Sequence, residues 1–210
     1  MRVAAFLSAW VATCAAPVAG AGNAAQLVTV STSSASATVA ALELWRRRGT
    51  CWRRVAGPWR AHVGRAGVSA RKREGDGATP AGVFALSPVV YGLDPNPGVH
   101  GRYVRLRCGD WWDEDPASPT YNRFRRLRCG ARPAFGGGSE ALWRATTAYR
   151  EFAVVRYNTA PVVPGRGSAI FVHDDRGHAT NGCVSLPRPQ LLRLLRWLRP
   201  SLHPRIAISS

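Results

Sequence analysis

Apolar residues in this chain come in short runs, continuous or alternating with polar positions, the pattern of strands that bury one or both faces. Runs at 27–30, 37–45, 51–55 and 60–63 are separated by Gly, Pro and Ser at intervals of about ten residues, the spacing of a β-sandwich or barrel. Runs at 82–86, 103–107 and 152–157 continue it, and Ile206-Ala207-Ile208 closes the chain as a last strand. Two stretches carry a helical period instead. One covers 139–150, with Ser139 as N-cap and Leu142, Thr146 and Tyr149 on one face. The other covers 189–198, with Leu191, Leu194, Leu195 and Leu198 on one face, Arg193, Arg196 and Arg199 on a solvated one, and Pro200 as its stop. The pattern predicts a mainly β, single-domain sandwich or barrel-like fold with a few short helices, including one amphipathic helix near the C-terminus.

Ahead of the first strand the pattern changes. Met1-Arg2 is followed by an apolar stretch from Val3 to Val18 and a small-x-small site at Ala19-Gly20-Ala21, the three parts of a secretory signal. Residues 1–24 are read as that signal and 25–210 as one domain with its own core. An uncleaved anchor is the competing reading, but Pro17 interrupts an apolar stretch already short of the ~20 residues a span needs. Thr13 before Cys14 makes a poor lipoprotein site. The expectation is an exported protein, a monomer with no membrane span after cleavage.

The formal charge is +17, supplied by arginine throughout except for Lys72, and loss of Arg2 leaves 17 − 1 = +16. Export and the even spread of arginines argue against nucleic acid as the partner. A cationic exported protein is instead drawn to an anionic cell envelope.

The densest chemistry lies in GRGSAIFVHDDRGHATNGCVSLP, residues 165–187. Residues 168–172 read as a buried strand with His173 where the run ends; Asp174-Asp175-Arg176-Gly177 is turn chemistry. A plain hairpin on that turn would leave Cys183 about 16 Å from His173. If the two cooperate, residues 178–182 must fold back, and Asn181-Gly182 suit that because both tolerate left-handed backbone angles. The thiol would then emerge at a tight turn with the Gly182 and Cys183 amides positioned for an oxyanion. An imidazole beside a thiol raises its thiolate fraction. The alternatives are a buried structural cysteine beside a surface histidine, or a zinc site from His173, His178 and Cys183, which lacks a fourth ligand and paired spacing.

The stretch resembles the catalytic segment of the L,D-transpeptidases (the YkuD, or ErfK/YbiS/YcfS/YnhG, type). There a strand ends in histidine and a loop leads to Ser/Thr-His-Gly-Cys and an apolar residue. His173, Thr180, Gly182, Cys183 and Val184 match; Asn181 stands in place of the second histidine, and the His-to-Cys interval, 183 − 173 = 10, is shorter than usual. A subgroup reading GSAIFLH…G…TxGCVSLP is closer still. Upstream, Thr79-Pro80-Ala81-Gly82 resembles the family's Thr-Pro-x-Gly element, and residues 111–122 resemble a loop that borders the active site.

The resemblance implies a cysteine acyltransferase needing no metal or cofactor. Cys183 would attack the diaminopimelate–D-Ala bond of a peptidoglycan tetrapeptide stem, and an amine of a second stem would resolve the acyl-enzyme as a 3→3 cross-link. His173 would be the base, with His178 in reserve; Thr180 and Asn181 would shape the loop. Trp112 and Tyr121 could line a substrate groove or simply pack the loop. Hydrolysis on the same scaffold and a non-catalytic wall-binding domain are the rival readings. With Cys183 free and Cys14 removed with the signal, Cys108 and Cys129 are the expected bridge and Cys51 stays reduced. That bridge closes a loop of about 20 residues, worth roughly 3 kcal/mol in the chain-entropy model.

Overall fold

The computed structural model describes residues 17–210 and the backbone of Ala12–Thr13; most of the apolar leader lies outside the described residues. The first strands are β1 (Ala12–Thr13), β2 (Gln26–Thr32), β3 (Val39–Arg48) and β4 (Cys51–His62). Then come β5 (Val68–Ser69), β6 (Thr79–Pro80), β7 (Gly82–Gly92), β8 (Arg102–Arg105), β9 (Asp110–Asp113), β10 (Arg123–Arg126) and β11 (Glu140–Ala141). The last are β12 (Phe152–Val155), β13 (Phe171–Asp174), β14 (Val184–Leu186) and β15 (Arg205–Ser209), with helix α1 (Arg188–Trp197) between the final two. Among the described residues no helix is long and apolar enough to cross a membrane.

The fold is mainly β and barrel-like. Strands run in the order β4-β14-β13-β12-β7-β15-β2-β3, and β3 pairs back on β4 to close the ring. Side chains from its inner face, among them Val28, Leu42, Val155, Val172 and Ile206, form one core, and α1 adds Leu191, Leu194 and Leu195 to it. Strands β12 and β13 are buried on both faces. Alternation sends Ala153 and Val172 inward and Phe152, Phe171 and His173 outward. The outward set is covered by a small sheet, β10-β9-β11, whose Trp112 joins Phe152 and Phe171 in a second core. The Cys108–Cys129 disulfide brackets β9 and β10.

Several expectations need correction. The runs at 51–55 and 60–63 belong to one strand, β4, which bends at Gly57 where its register against β3 shifts. Gly57 has φ +93°, and a Cβ there would lie 2.5 Å from the Leu42 carbonyl oxygen, so the bend needs glycine. The helix expected over 139–150 is absent. Glu140 and Ala141 pair with Trp112 and Trp111, and a single 3₁₀ turn, Leu142–Arg144, follows. Ser139 caps nothing there; its hydroxyl donates to the Gly136 carbonyl and accepts from the Glu114 amide. The strand before the site begins at Phe171, because Ala169 takes a left-handed φ of +52° and breaks the run. His173 therefore sits inside a strand, not after it. Cys51 is disulfide-bonded, not reduced; the count that leaves it unpaired omits Cys14, which lies outside the described residues.

Candidate active site

The chain between β13 and β14 makes a crossover, not a hairpin. The two strands are parallel neighbours, with Val172 opposite Val184 and His173 opposite Ser185. This register returns Cys183 to the level of Phe171, on the same outward face as His173. Thr180 pins the returning loop. Its amide donates to Val63 O at 2.9 Å and its carbonyl accepts from Arg65 N at 2.7 Å. Its hydroxyl donates to the Cys183 carbonyl at 2.6 Å and receives the Gly182 amide at 3.1 Å. Thr79, from the Thr-Pro-Ala-Gly element, donates to the same Cys183 carbonyl at 3.3 Å and receives Gly64 N at 2.8 Å. Gly182 holds φ +139°, and a Cβ would sit 2.9 Å from Ala78 O. The Gly182 amide is thus engaged by Thr180; the Cys183 amide has no such partner among the described residues.

Cys183 is the free cysteine of the described residues. Its sulfur lies 3.3 Å from the Phe171 amide, which donates to it, and 3.2 Å from the Ala169 carbonyl, which accepts its proton. Burial pushes the thiol pKa up, and the Glu140 carboxyl pushes it further, against the Phe171 amide. His173 is 7% exposed. Its Nδ1 lies 2.7 Å from the Asp174 carbonyl oxygen, which can only accept, so Nδ1 carries the proton and Nε2 is the bare nitrogen. Burial lowers its pKa, only partly offset by that carbonyl and by Asp175. Thiol and imidazole are therefore both neutral at neutral pH, and no hydrogen bond joins them.

Both face a cavity of about 440 Å³ whose wall also holds Tyr149, Glu140 and Ser185, with Arg144, Arg176 and His178 among its lining residues. Tyr149 packs edge-on against His173, ring centroids 5.8 Å apart. His178 is exposed and turns Nδ1 to the Ala179 carbonyl at 2.9 Å. Asn181 lines the same cavity and accepts from Arg65 at 3.3 Å. Among the described residues no three His, Cys, Asp or Glu side chains gather as a metal site.

Trp112 and Tyr121 do not reach this cavity. Trp112 is 5% exposed, packed edge-on against Phe171 at 4.9 Å with its Nε1 donating to Asn122. Tyr121 is 2% exposed; its hydroxyl donates to Glu74 and receives the Gly167 amide. They support the loop and line no groove, because the small sheet folds them against the barrel.

Sequence reasoning missed three parts of the site. Glu140 and Tyr149 were hidden in the expected helix. Ser185 and His62 share Asp175 Oδ1, each at 2.9 Å. Arg188, at the start of α1, bonds Asp174, Glu151 and Asp94 behind the histidine. None has a local sequence signal; each depends on pairings between distant segments.

A closed, mainly β barrel thus brings a half-buried cysteine, Cys183, and a buried histidine, His173, to one outer cavity. The model of one family, the L,D-transpeptidase catalytic domain YkuD, matches residues 27–204, and the chain belongs to that family of cysteine-dependent L,D-transpeptidases. No curated protein and no solved structure matches it.

Proposed function

We propose that this protein is an exported peptidoglycan L,D-transpeptidase in which Cys183, within a catalytic domain of residues 25–210, takes the acyl group of a tetrapeptide stem. The observation that carries the reading is the sharing of one cavity by Cys183 and His173, with the bare Nε2 of His173 as its basic atom. Since both groups rest neutral, the thiol loses its proton to Nε2 as sulfur attacks the carbonyl on the diaminopimelate side of the terminal D-Ala. In this step the S–H exchanges the Ala169 carbonyl for His173 Nε2 as its partner. The Phe171 amide stabilises the thiolate, and the Cys183 amide serves the oxyanion. Imidazolium then protonates the departing D-Ala nitrogen, leaving a thioester. An amine of a second stem resolves it as a 3→3 cross-link. His178, exposed and turned to a backbone carbonyl, stays in reserve as base. The anionic envelope holds the cationic domain near its substrate.

The test is intact mass spectrometry of the mature protein with a carbapenem, a reagent that acylates family cysteines. An adduct on wild type and none on Cys183→Ala is expected. Absence of an adduct on wild type would overturn the reading in favour of a wall-binding module. Incubation with tetrapeptide stems then separates cross-linked dimer from the trimmed tripeptide that a hydrolase would release.

A further inference from the structure

The wall of the cavity facing Cys183 and His173 comes from β11 and the turns that follow it, and it carries one carboxylate, Glu140. Glu140, on β11, is half-buried there, and its register opposite Trp112 fixes it on the small sheet. Its Oε2 accepts the Tyr149 hydroxyl, while Oε1 has no donor among the described residues. It lines the same cavity as Cys183, and its carboxyl raises the thiol pKa. Glu114 lies behind, also with an oxygen, Oε1, that is buried and unpartnered. Burial, then the nearby Glu140 and Glu74, raise Glu114 to about 9, so it is neutral at pH 7. One turn further along, Arg144 lines the same cavity and is itself exposed. No step of acylation uses Glu140 or Arg144.

An open carboxyl oxygen in the same cavity as the nucleophile opposes thiolate formation, so it does not serve the first half-reaction. It suits the second, in which a cation must enter and lose protons. Resting on the function proposed above, we infer that Glu140 and Arg144 form the acyl-acceptor subsite, taking a primary ammonium that carries a carboxylate on the same carbon. Glu140 Oε1 holds the ammonium and accepts one proton; Arg144 pairs with the carboxylate. The freed amine attacks the thioester carbonyl, the C–N bond forms, and the C–S bond breaks. His173 Nε2 takes the second proton from nitrogen and returns it to the departing sulfur, and Glu140 releases its proton to solvent. The subsite thereby favours transfer over hydrolysis. Burial raises the Glu140 pKa, which strengthens it as a base for this step.

The experiment follows wild type, Glu140→Gln and Arg144→Met with tetrapeptide stems, scoring dimer against tripeptide per acyl-enzyme seen by intact mass. Glutamine keeps an acceptor for Tyr149 and removes the charge. Its dimer-to-tripeptide ratio is expected to fall about ten- to hundredfold, the worth of a hydrogen bond to a charged group. Arg144→Met, at an exposed position, should raise the half-saturating concentration of an amino-acid acceptor but not that of a simple alkylamine. Ratios within about twofold of wild type in both variants, with acyl-enzyme formed, would overturn the inference alone. Wild type forming no acyl-enzyme would overturn the parent reading and this one with it.

Discussion

Arg188 offers the sharpest test of how the site is held. Its Nη1 bonds Glu151 at 2.8 Å and Asp174 at 3.1 Å, and its Nη2 bonds Asp94 at 2.9 Å and Glu151 at 3.0 Å. The side chains of Glu151 and Asp174 are only 1% and 5% exposed. Arg188→Met keeps most of the stem and removes the charge, leaving both carboxylates buried. Breaking such a group from one side costs about 3–5 kcal/mol. The loss must depend on pH. Burial already raises Asp174 to about 6 even with Arg188 opposing it, and Glu151 is raised as well. Without the guanidinium both rise further. A raised carboxyl holds its proton in the folded state, so it favours folding at low pH and penalises it as pH climbs through the folded pKa. One extra proton bound by the folded variant changes its stability by about 1.4 kcal/mol per pH unit. Between pH 6 and 8 the gap to wild type should therefore widen by about 2–3 kcal/mol. Urea denaturation at the two pH values reads it directly. A loss under about 1 kcal/mol at pH 8, or an equal loss at both pH values, would refute the reasoning.

Three further outcomes follow from the site. Gly182→Ala meets both the φ of +139° and the Ala78 carbonyl at 2.9 Å, and should cost about 1–3 kcal/mol while displacing Cys183; a carbapenem acylation rate equal to wild type would contradict it. Because burial holds His173 below the ordinary histidine range, the acid limb of the acylation rate should have its midpoint below pH 6.5 and vanish in His173→Gln; a midpoint above that value would remove His173 as base. Trp112→Ala should cost about 3–5 kcal/mol in chemical denaturation, as expected for a ring buried against Phe171; unchanged stability with impaired turnover would restore the substrate-groove role.

The barrel was legible because its strands carry their own signal: alternation at 27–30 and 37–45 marks β2 and β3 whatever they pair with. The crossover at Cys183 was legible too, since a hairpin could not bring the thiol to His173 and only a returning loop could. What failed was decided by partners distant in sequence. Leu142, Thr146 and Tyr149 have helical spacing, yet Glu140 and Ala141 gain more by pairing with Trp112 and Trp111, and tertiary pairing overrides a weak local preference. That error hid Glu140 and the cavity wall it belongs to. Arg188 was hidden differently: it lies one residue ahead of the expected helix, and its three carboxylates come from residues 94, 151 and 174.

The two halves of the cavity have separate supports, and this bears on how they can fail. Cys183 and His173 ride on adjacent parallel strands of the barrel, fixed by backbone pairing and by Thr79 and Thr180. Glu140 rides on the small sheet, which holds to the barrel through Trp112 and Phe171 and is stapled at Cys108–Cys129. Loosening the small sheet therefore shifts Glu140 while Cys183 and His173 keep their register. Reduction of the disulfide should lower transfer before it lowers acylation. In the proposed mechanism the two sheets divide the chemistry, the barrel forming the thioester and the small sheet choosing what resolves it.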